Sequence, residues 1–124
     1  MSRKIIFFDI DGTIITENTH IISQNTVKAI KRARSNGHLA FINTGRTFFN
    51  VTENIRNIGF DGYVCGCGTY IHYKGQTLLA KSIPHETCVE IVKKLRECKI
   101  DAVFESSNYD FYDQTKPPTG ELAQ

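Results

Sequence analysis

The stretch Lys4–Thr16, KIIFFDIDGTIIT, runs four apolar residues straight into Asp9 and Asp11, two carboxylates one residue apart, and then reaches Gly12. Ile5–Phe8 shows no alternation of apolar and polar positions. That is the pattern of a central strand buried on both faces of a parallel sheet. Two acids at the end of such a strand repel each other and lose hydration, so a compensating group is expected beside them. An Asp-Gly step between two apolar runs is also a strong turn signal, and a plain β-hairpin is the simpler reading of these residues. A hairpin accounts for Asp11 and Gly12 but not for an acid at position 9.

Outward from this stretch, Ser23 opens a segment in which Val27, Ile30 and Ala33 or Arg34 follow at helical spacing, closed by Asn36 and Gly37. This predicts a helix from about Gln24 to Ser35. The run HLAFIN, residues 38–43, is a second apolar strand that ends at Thr44-Gly45-Arg46. Phe48, Val51, Thr52, Ile55 and Ile58 then fall on one face of a second predicted helix, stopped by Gly59, and Tyr63–Cys65 reads as a third strand. Strand, helix, strand, helix, strand with short connections predicts a Rossmann-like, doubly wound α/β fold built on a parallel sheet with right-handed crossovers. Ligands bind such sheets beyond the carboxyl ends of the strands, where Asp9 and Thr44 both fall.

From Thr69 the pattern changes. TYIHYKGQTLLAKSI, residues 69–83, predicts a hairpin turning near Lys74-Gly75. Pro84 marks a boundary; after it Cys88, Val89, Ile91, Val92 and Leu95 stripe a third helix, followed by the strand-like DAVFES and the tyrosine-rich NYDFYD. The expected division is a core over 1–83, a smaller α/β segment over 84–113, and a Pro/Gly-rich loose tail over 114–124.

Composition narrows the function. A chain of 124 residues with 40% hydrophobic content suits one modest domain with an appendage. A formal net charge of +2, with its Lys and Arg scattered, points to neither a nucleic-acid nor a membrane partner. The apolar run at Ile5–Phe8 is too short for the core of a signal peptide and meets acids at once. Cys65, Cys67, Cys88 and Cys98 read as reduced thiols of a cytoplasmic protein, and they lack the C-x2-C spacing of a zinc site.

The acids carry the sharper reading. A carboxylate at a strand end can attack phosphorus and form an aspartyl phosphate, dividing one hard displacement into two easier ones. A Mg2+ held by oxygen ligands offsets the phosphate charge and relieves the repulsion between the acids. A second carboxyl two residues on lies on the same side of an extended chain, placed to protonate the leaving oxygen and later to take a proton from water. On this reading the repulsion keeps one acid protonated beside an ionised nucleophile, and Gly12 lets the backbone bend so that N–H groups face the phosphate. After the second strand, Thr44 offers a hydroxyl donor, Gly45 permits close approach of an oxyanion, and the next helix would aim its positive end at the same place. An N-cap followed by a turn is the plainer reading of Thr44-Gly45-Arg46.

DIDGT after a first apolar strand and NTGR after a second resemble the first two motifs of the haloacid dehalogenase superfamily, and more narrowly of its Cof-type sugar-phosphate phosphatases. The resemblance covers about residues 3–112 and implies Asp9 as nucleophile and Asp11 as acid/base. It further implies Mg2+ on the Asp9 carboxylate and the Asp11 carbonyl, phosphate on Gly12, Thr44 and Gly45, and Arg46 toward the substrate. The implied substrate is a small phosphorylated metabolite. The family usually has Asn-Gly-Ala after the third strand, where Cys67-Gly68-Thr69 stands here, and residues from about Pro84 look like the beginning of its α/β cap. The family's phosphate-binding Lys and its G-D-x-x-N-D loop have no counterpart. Lys81, Lys93, Lys94 and Lys99 come in the wrong order, and Asp110 and Asp113 lack the glycine and the preceding strand.

The implied activity is a Mg2+-dependent phosphomonoesterase, with a phosphomutase as its variant. Against it stands a catalytically incomplete, truncated module that binds phosphate or Mg2+, or associates with a second copy through the exposed first strand. A phosphorylated receiver domain of similar size would need an acceptor Asp ending the third strand, whereas Asp61 precedes Gly62-Tyr63-Val64-Cys65.

Overall fold

The computed structural model describes residues 2–113; the expected tail, residues 114–124, lies outside them. The chain divides between Lys81 and Ser82 into two compact units. In the first, strands β1 (Ile5–Phe8), β2 (Leu39–Asn43), β3 (Gly62–Cys65), β4 (Tyr70–Tyr73) and β5 (Gln76–Ala80) form one sheet in the order β1-β2-β3-β4-β5. The pairs β1–β2 and β2–β3 are parallel, and β3–β4 and β4–β5 are antiparallel. Helix α1 (Gln24–Ser35) makes the first crossover and the four-residue α2 (Glu53–Arg56) lies in the second. This is the expected Rossmann-like α/β class.

Helix α1 has the predicted bounds because both ends are chemically specified. The Ser23 hydroxyl accepts the Asn25 N–H at 3.2 Å as N-cap. At the other end Gly37 takes φ +88°, and the N–H groups of Gly37 and His38 donate to the carbonyls of Arg34 and Ala33, closing the helix. The last turn is also tied sideways. Arg34 donates from Nε at 3.0 Å and Nη2 at 2.8 Å to Asp61, whose Oδ2 also accepts the Ala40 N–H at 2.9 Å. One carboxylate thus joins α1, β2 and the residue before β3.

Paired residues share a sheet face, so the register sorts the side chains. Phe8, Ala40, Ile42, Tyr63, Cys65 and Tyr70 lie on one face and join Ile30 of α1 and Ile55 of α2 in the core with Ile10, Ile14, Val51, Ile58 and Phe60. The opposite face carries Ile5, Phe7, Leu39, Phe41 and Tyr73. None belongs to that core, and Ile5 and Phe7 are 53% and 55% exposed. Phe41 is covered by the rings of Phe7 and Tyr73, at centroid distances of 5.6 and 5.4 Å, and it fits because Gly62 of β3 presents no side chain beneath it. Among the described residues β1 is an edge strand, paired on one side only.

The second helix is much shorter than its apolar spacing predicts. Val51, Ile55 and Ile58 are buried as that spacing requires, yet residues 47–52 form turns and a bend, and the helix begins only at Glu53. Thr47-Phe48-Phe49-Asn50-Val51-Thr52 is a run of aromatic, β-branched and amide residues, each with low helix propensity, and tertiary packing supplies the burial without the helix. The β4–β5 hairpin turns at Lys74 and Gly75, both at positive φ, the geometry of a type I′ turn.

In the second unit, α3 (His85–Cys98) begins directly after Pro84 and ends at Lys99 in a left-handed conformation. Strands β6 (Val103–Glu105) and β7 (Asp110–Tyr112) pair antiparallel, so both the strand-like and the tyrosine-rich segments are strands. Arg96 donates to Asp113 at 2.6 Å and Lys94 to Glu97 at 2.8 Å, which agrees with a solvated role for Lys94.

Candidate active site

The chain leaves β1 as Asp9-Ile10-Asp11, and the middle residue positions the outer two. Ile10 is fully buried, which turns the exposed Asp9 and Asp11 toward water on either side of it. Its carbonyl accepts the N–H groups of Thr13, Ile14 and Ile15 at 3.2, 3.0 and 3.0 Å, winding the chain into a tight loop. Gly12 makes that loop feasible with φ +80°. The Gly12 N–H itself is spent inside the loop, donating to the Ile15 carbonyl at 2.9 Å. The plain hairpin reading fails as well: Asp11 and Ile15 form an isolated parallel bridge within the loop.

Thr44 follows β2 and is 3% exposed, held by its N–H to the Val64 carbonyl at 2.9 Å. Its Oγ1 accepts the Arg46 N–H at 3.1 Å, and the hydroxyl proton remains to donate elsewhere. Gly66 donates to the Arg46 carbonyl and Cys67 to the Thr44 carbonyl, so the turn after β3 braces the segment. Gly45 faces the same turn: a Cβ there would lie 3.5 Å from Cys67 Sγ. The carboxyl ends of three adjacent strands therefore meet. The expected helix N-terminus does not join them, since α2 begins at Glu53 and is too short to carry a useful dipole.

Arg46 closes the arrangement. Its Nε lies 2.9 Å from Asp11 Oδ2 and its Nη2 2.5 Å from Oδ1, while Nη1 donates to the Asn50 carbonyl at 3.3 Å. The bond to Asp11 raises the Arg46 pKa, against the effect of burial, and the charges of Asp11 and Asp9 add to it. Reciprocally, the Arg46 hydrogen bond holds the Asp11 carboxyl below its ordinary range, burial opposing, with the Arg46 and His20 charges helping. The group that compensates the acids is thus this guanidinium. The bidentate guanidinium favours the ionised form of Asp11, the direction opposite to the expected effect of repulsion between the two acids.

Sequence reasoning placed Asp9, Asp11, Thr44, Gly45 and Arg46 at one end of the sheet, and the structure brings them there. It missed Cys67 as a neighbour of Gly45. A Gly-Cys-Gly triplet after a strand was the available signal, and Cys67 adopts φ +53° within it. Two carboxylates and a carbonyl are what these residues offer a cation: among the described residues no group of three or more His, Cys, Asp or Glu side chains is placed to hold a metal. That set suits part of the shell of a Mg2+, which takes one or two carboxylates and leaves its other positions to water and phosphate.

A profile of haloacid dehalogenase-like hydrolases matches residues 6–121. YkrA of Bacillus subtilis (strain 168), which bears a phosphatase name, is 30% identical over 104 residues, 84% of this chain and 40% of YkrA. The pyridoxal phosphate phosphatase YbhA of Escherichia coli (strain K12) is 26% identical over 125 residues, 98% of this chain and 44% of YbhA. Among solved structures, a Geobacillus kaustophilus protein superposes with a TM-score of 0.82 at 28% identity, covering 94% of this chain and 45% of that one. The HAD subclass IIB sugar phosphatase BT4131 superposes at 0.72 with 28% identity, covering 88% of this chain and 43% of its own. The chain spans less than half the length of each of these relatives.

Proposed function

Because the chain belongs to the haloacid dehalogenase-like hydrolases, we propose that it carries the nucleophile side of a phosphomonoesterase site for small phosphorylated metabolites of the sugar-phosphate type. The observation that supports this most is the placement of Asp9, Asp11, Thr44 and Arg46 at the carboxyl ends of β1 and β2, with Arg46 bonded to Asp11 by its fork and to Thr44 by its backbone N–H. In this reading an Asp9 carboxylate oxygen attacks phosphorus, the bond from phosphorus to the ester oxygen breaks, and the departing oxygen takes a proton from Asp11. Water then attacks the aspartyl phosphate and gives its proton to Asp11, releasing inorganic phosphate and restoring Asp9. Thr44 donates its hydroxyl to a phosphate oxygen.

Asp11 must acquire a proton before the first step, so the Arg46 fork has to leave it. A dianionic phosphate offers Arg46 an alternative bidentate partner, and binding of the substrate and release of Asp11 become one event. The Asp9 carboxylate and the Asp11 backbone carbonyl would hold a Mg2+, whose chemistry when bound is to offset the charge of the phosphate. The unit beginning at Ser82 is the start of a cap that selects the alcohol part of the substrate. No helix among the described residues is long and apolar enough to cross a membrane.

The test is hydrolysis of p-nitrophenyl phosphate by the purified chain, with Mg2+ and with EDTA, beside Asp9→Asn. Magnesium-dependent turnover that disappears in the variant is the expected result. Turnover surviving Asp9→Asn overturns the covalent mechanism, and no turnover from correctly folded protein overturns phosphatase activity for this chain by itself.

A further inference from the structure

Residues 47–52 hold Arg46 in place without a helix to stiffen them. Within the segment the Asn50 N–H donates to the Thr47 carbonyl at 3.0 Å and the Val51 N–H to the Phe48 carbonyl at 3.4 Å, two turns rather than a ladder. The fork on Asp11 depends on this segment, because Nη1 of Arg46 is anchored on the Asn50 carbonyl at 3.3 Å. With one corner of the planar guanidinium fixed there, Nε and Nη2 are turned to the two oxygens of Asp11. Whatever fixes the Asn50 carbonyl therefore aims the fork.

Two features fix it, and both lead to Arg56 of α2. The ring of Phe48 packs against Tyr63 of β3 and against Tyr70 and His72 of β4, at centroid distances of 5.3, 5.4 and 5.1 Å. The Arg56 guanidinium lies 4.4 Å from the centre of that same ring, and its Nη2 donates to the Phe48 carbonyl. Arg56 thus grips both the side chain and the backbone of one residue, midway in sequence between Arg46 and Asn50.

Packing alone does not account for an arginine here. Among the described residues Arg56 forms no ion pair, unlike Arg34, Arg46 and Arg96, and its Nε is buried without a hydrogen-bond partner. A cation drawn out of water with no carboxylate beside it is destabilising relative to an apolar side chain of the same reach. Methionine would fill the space beside Phe48, but it could not hold the Phe48 carbonyl.

We propose that Arg56 is a positioning residue of the phosphatase site proposed above, a role that rests on that reading. Through Phe48 and Asn50 it keeps the Arg46 fork aimed at Asp11 and, once the fork is released, at an incoming phosphate. Arg56 acts only through Arg46.

The test follows the Nε–H signals of Arg46 and Arg34 in nitrogen-15 spectra of the full 124-residue chain, in the parent, Arg56→Met and Arg56→Lys, beside turnover of p-nitrophenyl phosphate. Arg34 is the internal standard, since its Nε donates to Asp61 at 3.0 Å, outside the segment. The expected result is that Arg56→Met speeds exchange of the Arg46 Nε–H with water about tenfold and leaves Arg34 unchanged. Arg56→Lys, which keeps a cation and a donor for the Phe48 carbonyl, stays close to the parent. In turnover Arg56→Met lowers kcat/KM about tenfold and adds nothing to the loss already caused by Arg46→Ala. An Arg46 signal indifferent to Arg56→Met overturns the proposal. So does equal acceleration at Arg46 and Arg34, which makes Arg56 a general support of the fold, and so do losses that add in the double variant. A folded parent without turnover counts against the phosphatase reading alone, and the Arg46 signal still decides whether Arg56 aims the fork.

Discussion

Arg46 occupies both carboxylate oxygens of Asp11, through Nε at 2.9 Å and Nη2 at 2.5 Å, while among the described residues no such fork reaches the neighbouring Asp9. The two acids after β1 are thereby made chemically unequal. One is tied to a guanidinium that favours its ionised form, and the other is exposed at the strand end.

This inequality gives the first prediction. Lysine keeps the charge at position 46 but cannot bridge two oxygens, so Arg46→Lys should lower kcat/KM for p-nitrophenyl phosphate about tenfold, and Arg46→Ala about a hundredfold. Asp11 is 60% exposed, and an ion pair so open contributes less than about 1 kcal/mol to stability. Urea melts should therefore barely move while steady-state rates fall. A parallel loss of stability and activity would assign Arg46 a structural role instead.

Asp61 should behave in the opposite way. The hydrogen bond from Arg34 lowers its pKa below the ordinary 3.8, burial opposing, with the Ala40 N–H and the charges of Arg34 and Arg3 adding to the effect. A depressed carboxylate contributes stability above its unfolded value and loses it as pH falls through the folded one. Asp61→Asn should cost about 1–2 kcal/mol at neutral pH, and the difference from the parent should shrink below pH 4. Urea unfolding at pH 7 and pH 3 measures it; an equal deficit at both rules out the ion pair as its source.

A methyl group at Gly62 would stand 2.2 Å from Phe41 Cε1 and 2.5 Å from Cζ. Gly62→Ala should therefore destabilise by about 1–3 kcal/mol, because the ring must leave its place between Phe7 and Tyr73. Adding Phe41→Leu should recover part of that loss. Two additive penalties in a double-mutant cycle would show that the two positions do not compete for the same space.

Burial pushes the Cys65 thiol up to about 11, the charge of Arg56 opposing, while Cys67 two residues on is exposed. A thiol titration with an aromatic disulfide at pH 8 should label Cys67 rapidly in native protein and reach Cys65 only on unfolding. Fast labelling of Cys65 in the native state would contradict the packing described for β3.

Much of this arrangement is legible in the residues themselves. The bounds of α1 follow from Ser23 and Gly37, the Lys74-Gly75 turn from its glycine, and the meeting of Asp9 with Thr44 from strand order. What could not be read was anything decided by partners distant in sequence. The fate of Phe48–Thr52 turns on packing, with Val51 buried although no helix carries it. No local pattern shows that the Gly12 N–H donates to the Ile15 carbonyl. The protonation of Asp11 depended on a guanidinium 35 positions away, whose side-chain direction no local pattern encodes. The uncovered sheet face was likewise invisible, because Ile5–Phe8 has the composition of a strand enclosed on both sides.

Ile10 touches no reactant, yet it is the pivot of the acid pair. It is sealed in the core, its carbonyl gathers the three amides that wind the following loop, and it alone separates Asp9 from Asp11. An alanine scan scored by turnover would rank this position beside the carboxylates, while one scored by solubility would rank it as ordinary filling. For this chain the grouping of residues into scaffold and chemistry fails at position 10, where a greasy side chain aims two charged ones.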